Sequence, residues 1–300
     1  MKALLTFVLA AAFAASASAQ KVLNVVATLP DYGAIAEAIG ADKVKVTTLA
    51  RGTEDPHFVD AKPSFVKVLN KADLLIEGGA DLEVGWLPPL VAQARNRAIV
   101  AGEKGDLKLS QSVQLLDVPT GPVDRSMGDV HPFGNPHFNL DPLNGKAMAK
   151  AIADKLAVLA PGNVKVFRAN EQKFAQELDR KLAEWQKQME PLRGTKVITY
   201  HKSFDYFLKR FGLELAGTIE PKPGIEPSPT HINQLVPKAK NEGVKFVIIE
   251  PNRPRRTPEY IAEQVGAKLL LLPALVGGNE RIKTYFDLFD YNVSQFTSAR

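Results

Sequence analysis

The stretch VKVFRANEQKFAQELDRKLAEWQKQM, residues 164–189, carries apolar side chains at Phe167, Phe174, Leu178, Leu182, Trp185 and Met189, with charged residues between them. Gaps of three, four and seven residues place all six on one face of a helix. At 1.5 Å of rise per residue the helix runs about 40 Å, enough to cross a domain or to join two.

On either side of this helix the chain alternates between strand and helix patterns. Before it, a buried strand is expected at 22–29 (VLNVVATL), which is apolar, β-branched and ended by Pro30. A short helix at 32–39 is closed by Gly40, and a strand follows at 44–49. Helix 63–70 opens on Pro63, strand 72–77 ends at Gly78-Gly79, and 82–95 reads as helix. Residues 101–143, rich in Gly, Pro, Asp and Asn, read mostly as loop, and a helix resumes at 145–159. After Gly194 come strand 195–200, helix 203–211, strand 213–219 and helix 231–241, with Ser228 or Thr230 as its cap. Strand 244–249, helix 257–265, strand 269–272 and helix 281–296 complete the chain. The expected fold class is α/β: two lobes, each a mostly parallel sheet flanked by helices, joined by one long rigid helix. The expected divisions are 20–160, 161–191 and 192–300.

The first residues set the expected compartment. Met1-Lys2, an apolar run over 3–15 and the small-x-small pattern Ala17-Ser18-Ala19 together read as a secretory signal over 1–19. It is too short to span a membrane, and no other segment has 18 uninterrupted apolar residues. The sequence contains no Cys. That excludes disulfides, thiolate ligands, a Cys nucleophile and a lipid-modified Cys, so a free periplasmic protein is expected. A net charge of +5 is spread along the chain. Its densest cluster, Arg253, Arg255 and Arg256, reads as a solvated loop. Nucleic-acid binding is not expected. Trp86 and Trp185 read as core residues of helices.

The five His carry the chemistry. His57, in Glu54-Asp55-Pro56-His57, follows the second strand. His137 lies in Gly134-Asn135-Pro136-His137-Phe138-Asn139-Leu140-Asp141-Pro142. His201 follows the strand Lys196-Val197-Ile198-Thr199-Tyr200. All three sit where a strand gives way to a loop, and ligands of open α/β sheets bind at the carboxyl ends of the strands. Three neutral imidazoles and one oxygen complete a tetrahedral zinc shell. Pro before His57 and before His137 stiffens the backbone that presents each ring. A turn or capping role for each His is the alternative.

The ordered fragments resemble a known family. They are Asp55-Pro56-His57 with Lys62-Pro63-Ser64, Ala72-Asp73-Leu74-Leu75-Ile76, Asn135-Pro136-His137 with Leu140-Asp141-Pro142, and the long helix. Further on come Tyr200-His201 with Tyr206-Phe207, Glu226-Pro227-Ser228-Pro229 and Phe246-Val247-Ile248-Ile249-Glu250-Pro251. The chain is similar to the periplasmic zinc/manganese solute-binding proteins of ABC importers, the cluster A-I family. That resemblance implies two lobes, a metal in the cleft between them, and His57, His137 and His201 as three ligands. It implies a membrane permease as partner and no enzymatic activity. A monomer is expected.

One departure concerns the fourth ligand. Members of that family usually place an Asp in a turn after the last strand, whereas Leu272-Pro273-Ala274-Leu275-Val276-Gly277-Gly278 has no carboxylate. Glu250, ending a strong strand, is the candidate replacement; the alternative is that it hydrogen-bonds the loop around Arg253. Asp287 and Asp290 are weaker candidates, and water is another. His131, in Asp129-Val130-His131-Pro132, stands in a loop over 120–135 that can fold over the site. It reads as a plain loop residue or as a ligand, and His231 as a solvated helix-terminus residue.

Three His favour Zn²⁺ as the transported ion over Mn²⁺, which prefers oxygen donors. Coordination needs neutral imidazole, so binding is expected to weaken as pH falls through about 6.5. A periplasmic zinc-dependent hydrolase with a three-His site is the main alternative, and a receptor for a non-metal solute is another. No HExxH helix is present to support the hydrolase.

Overall fold

In the computed structural model, which describes residues 21–300 apart from 125, 126 and 129, two separate sheets carry the architecture. The first contains β1 (Leu23–Ala27), β2 (Val44–Thr48), β3 (Leu74–Glu77) and β4 (Asp106–Lys108), in the order β2-β1-β3-β4. The second contains β5 (Lys196–Thr199), β6 (Glu214–Thr218), β7 (Phe246–Ile249) and β8 (Lys268–Leu271), in the order β6-β5-β7-β8. Every pairing between these eight strands is parallel. The two sheets therefore share one topology, although no sequence repeat announces it. In each, the chain leaves the first strand for one edge and returns to the other side, creating a switch point between β1 and β3 and between β5 and β7. The expected export signal lies outside the described residues.

Central strands explain their own composition. β7 is Phe-Val-Ile-Ile and buried throughout, because helices cover both faces of a parallel sheet. Phe246 and Ile248 join one core while Val247 and Ile249 join another, following the two-residue alternation of a strand. β4 is the element the composition hides. It has three residues, two of them charged, and lies at the sheet edge, where Leu75, Ile76 and Glu77 pair with it. An edge strand needs no apolar run to be held, so a region read mostly as loop contains it.

Nine α-helices stand among the described residues: α1 (Pro30–Gly40), α2 (Pro63–Asn70), α3 (Leu87–Ala94), α4 (Pro142–Leu159), α5 (Val164–Met189), α6 (Asp205–Phe211), α7 (Pro229–Asn241), α8 (Arg256–Val265) and α9 (Tyr285–Ser298). α3 is shorter than expected. Residues 82–86 form turns behind Ala80 and Asp81, both in the left-handed region, and the helix begins with Pro88-Pro89 in its first turn. Pro is tolerated there because the first amides of a helix lack intrahelical partners. α9 starts later than expected because Thr284 and Asp287 form a capping box. No helix among the described residues is long and apolar enough to cross a membrane.

α5 runs over the expected 26 residues. Phe167, Phe174, Leu178, Trp185 and Met189 are buried, with Leu182 half-buried. It packs against α1, α4 and α9. One continuous apolar core runs from the first sheet through α5 to Phe207, Phe289 and Phe296 beside the second. The helix is thus embedded in the core on its apolar face. Trp86 and Trp185 are core residues, as their patterns imply.

The turn at 273–278 is fastened to the first half. Asp31, fully buried on α1, accepts from Val276 N at 3.0 Å and from Asn139 Nδ2 at 3.1 Å. Asn139 Nδ2 also donates to Ala274 O at 3.0 Å. At Gly52 a Cβ would lie 2.2 Å from Val276 O, so only glycine permits this approach.

Candidate metal centre

Two of the three loop His are presented by the same three-residue device. In Asp55-Pro56-His57, Asp55 Oδ1 accepts from His57 N at 3.0 Å and stands 2.8 Å from its Nδ1. In Asn135-Pro136-His137, Asn135 Oδ1 accepts from His137 N at 3.0 Å and stands 2.9 Å from its Nδ1. An Asx side chain bonding the backbone two residues on is a local turn, and the intervening Pro fixes φ. Ring and backbone are held by one oxygen. Asn135 Nδ2 donates to Lys202 O at 2.9 Å, which fixes the amide with its oxygen toward His137.

His201 is presented differently. Tyr200 N donates to Ile248 O at 2.8 Å, carrying the β5 ladder to its end, and His201 is the next residue. Its Nδ1 stands 2.7 Å from Glu220 Oε2, in the loop after β6. Gly224 N donates to the same carboxylate oxygen at 3.0 Å.

Each of the three rings therefore points Nδ1 at an oxygen acceptor. That selects the Nδ1–H tautomer and leaves the Nε2 lone pair available to a cation. The rings form a nearly equilateral triangle, with centroids 5.1, 5.4 and 5.1 Å apart. One ligand atom from each of His57, His137 and His201 lies within 4.8 Å of the others. The first sheet's loops contribute two, and β5 contributes the third. Burial, followed by the neighbouring His57, His201, His131 and Arg253, holds His137 well below the ordinary imidazole value, favouring the neutral form that can coordinate.

Arg253 is the residue that sequence reasoning misplaced. It was expected in a solvated loop, but its side chain is only 18% exposed and faces the site. Arg253 N donates to Glu250 O, closing a turn that directs the side chain inward. Nη2 is 3.1 Å from Asp55 Oδ2, Nη1 is 3.6 Å from Glu220 Oε1, and Nε is 3.9 Å from Glu250 Oε2. The guanidinium also lies 5.3 Å from the Tyr200 ring centre. It thereby joins the two carboxylates that orient His57 and His201. Burial raises the Asp55 carboxyl, but the hydrogen bond to His57 and the charge of Arg253 outweigh it and hold it below its ordinary value. Burial alone would lower Arg253; the carboxylates of Glu250, Asp55 and Glu220 raise it instead.

Glu250 lines a water-sized cavity of about 30 Å³ together with Asp55, His57, His137, Ser203 and Arg253. Its Oε1 accepts from Ser203 Oγ at 2.5 Å, and its Oε2 faces Arg253 without a hydrogen bond. Glu250 is not among the residues whose ligand atoms converge; it keeps company with the loop around Arg253. Asp287 caps α9, and Asp290 accepts from Lys181 Nζ and Trp185 Nε1. Neither belongs to the converging group.

His131 stands at the cluster. Its Nε2 is 3.2 Å from His57 Nε2, and the two rings are 5.2 Å apart. Burial, followed by His57 and His201, lowers it to about 3. It lines a pocket of about 330 Å³ with His137, His201 and Lys202. His231 does terminate a helix, with its N bonded to Ser228 Oγ, but its Nε2 is 3.0 Å from Thr218 O and it is half-buried. Glu220 gave no local signal, being 19 residues from the ring it orients.

Residues 25–299 match the family described as ZnuA, zinc-uptake complex component A, periplasmic. The manganese ABC transporter substrate-binding lipoprotein PsaA of Streptococcus mitis is 25% identical over 95% of this chain and 91% of its own. The high-affinity zinc uptake system protein ZnuA of Paracoccus denitrificans is 26% identical over 86% of this chain and 84% of its own. A structure of the SBP FpvC from Pseudomonas aeruginosa in complex with Mn²⁺ superposes with a TM-score of 0.79, at 25% identity, covering 93% of this chain and 98% of that one. A family of substrate-binding proteins leaves no place for the hydrolase alternative. The chain belongs to the ZnuA family: it is a metal-binding, extracytoplasmic solute-binding protein of an ABC importer and not an enzyme.

Proposed function

We propose that this protein captures Zn²⁺ through Nε2 of His57, His137 and His201 and delivers it to the membrane permease of its importer. The observation that carries this reading is the shared orientation of the three rings, each with Nδ1 committed to an oxygen of Asp55, Asn135 or Glu220. Neutral imidazole suits zinc, whereas Mn²⁺ prefers oxygen donors. Relatives are named for both ions, so donor chemistry supports the choice.

Charge supports a divalent cargo. The carboxylates of Asp55, Glu220 and Glu250 face one guanidinium, Arg253, leaving two formal negative charges among these four groups. A divalent ion among neutral rings offsets them. The two halves would meet at the ion, His57 and His137 from one and His201 from the other. On this reading α5, within the proposed linking segment 161–191, would be the stiff element limiting their relative movement.

The protein is proposed to work in the periplasm as a monomer, exported by the segment at 1–19. The S. mitis relative is named a lipoprotein. This sequence contains no Cys to carry such an anchor.

Anomalous scattering at the zinc edge tests the site. Zinc is expected bonded to Nε2 of His57, His137 and His201 at about 2.0–2.1 Å. Zinc bound elsewhere, with these rings unligated, overturns the assignment. For the ion, cells lacking this protein are expected to regain growth under chelation on added zinc. Recovery on manganese alone overturns the zinc reading.

A further inference from the structure

Resting on that three-histidine reading, we propose that His131 supplies a fourth imidazole to the ion, in place of the carboxylate absent from the turn at 273–278. Its position carries the assignment. His57 Nδ1 is committed to Asp55, so the nitrogen that faces His131 Nε2 at 3.2 Å is the one left to bind a cation. In a tetrahedral shell with zinc–nitrogen bonds of about 2.0–2.1 Å, neighbouring nitrogens stand about 3.3–3.4 Å apart. The His57–His131 ring separation of 5.2 Å falls within the 5.1–5.4 Å spanned by the other three ring pairs.

The backbone bearing His131 is fastened beside the site. Gly134 N donates to His131 O at 3.2 Å, closing a turn. Gly134 has φ +113°, and a Cβ there would lie 2.7 Å from Leu116 O. Asn135 N then donates to Leu116 O at 2.7 Å, and Tyr206 Oη donates to Asn135 O at 2.7 Å. His131 and His137 are thus presented from the two sides of one anchored residue, Asn135.

The carboxylates nearby have other work. Asp55 and Glu220 hold Nδ1 atoms, and Glu250 is paired with Ser203 and faces Arg253. The three rings within 4.8 Å of one another do not include His131, which meets the group along its His57 edge. Its side chain therefore turns inward from the His57 edge to complete the shell. A shell of four neutral nitrogens discriminates further against Mn²⁺ than a shell containing a carboxylate.

Zinc-edge X-ray absorption of the zinc-loaded protein, together with chelator-competition titrations, tests the assignment. Four imidazoles are expected for the wild type. Three are expected for His131→Gln and His131→Ala, with affinity weakened at least roughly tenfold, since even a group behind a ligand changes affinity by about 10–100-fold. Far-ultraviolet circular dichroism and melting confirm that the variants are folded. Three imidazoles in wild type and variants alike, at unchanged affinity, overturn the role of His131 and leave the three-histidine site standing. No imidazole ligation in the wild type overturns both.

Discussion

Arg253, in the loop after β7, holds Asp55, in the loop after β2, with Nη2 3.1 Å from Oδ2. The pair joins loops from the two sheets, and both side chains are mostly buried. Removing one member of such a pair leaves the other charge stranded in a poorly solvated place. With each side chain about one-sixth exposed, Arg253→Met is expected to cost the metal-free protein about 2–4 kcal/mol. Urea unfolding without metal measures this. Zinc should restore part of the loss by supplying positive charge. A variant as stable as wild type would mean that the bridge contributes nothing.

The Asx-Pro-His turns make a sharper prediction about affinity. Asn135→Ala removes the oxygen that holds both the His137 ring and its backbone amide. Zinc affinity is expected to fall about 10–100-fold. Asn135→Asp keeps the acceptor but gives up the Nδ2 bond to Lys202 O, so it should lose less than Asn135→Ala without matching wild type. Equal losses for the two variants would show that the acceptor does not orient the ring.

Asp31 offers a pH signature away from the ligands. Complete burial raises its carboxyl from 3.8 to about 6, against the lowering effect of hydrogen bonds from Val276 and Asn139. The folded state therefore holds a proton between about pH 4 and 6 that the unfolded chain has released. This contribution to stability is fully present below 3.8 and is lost as pH rises through 6, for a total of about 3 kcal/mol. Asp31→Asn is destabilised because an amide offers one acceptor to two donors. Its disadvantage relative to wild type should narrow as pH is raised from 4 to 7. A gap that stays constant or widens across that range contradicts a raised carboxyl.

Gly145 tests the seam between α4 and α9. A Cβ there would lie 2.5 Å from the Tyr285 ring, while Tyr285 Oη donates to Asn139 O at 2.7 Å. Gly145→Ala is expected to cost about 1–3 kcal/mol by overpacking. Gly121, where a Cβ meets nothing within 4 Å, is the control, and Gly121→Ala should be close to neutral. Equal stability of the two variants would refute the close packing.

The fold was largely legible because its signals are local. The 164–189 periodicity and the buried runs at β1, β3 and β7 follow from burial on one helix face or on both sheet faces. β4 was not legible, since Asp106-Leu107-Lys108 is held by pairing with β3 rather than by its own apolar pattern. The start of α3 was displaced by turns that a helical pattern does not reveal.

The sequence by itself determined the six-residue apolar face of α5, the strand ends that carry His57 and His201, and the Asp55-Pro56-His57 and Asn135-Pro136-His137 turns. Each depends on residues within a few positions of one another. Only the tertiary structure decided that these rings share one point, that Glu220 and Arg253 stand behind them, and that His131 reaches His57 from 74 residues away. Arg253 shows the physical reason. A basic cluster is costly to bury alone and so reads as solvated, but carboxylates from distant loops change that balance, and their convergence is fixed by how the two sheets pack.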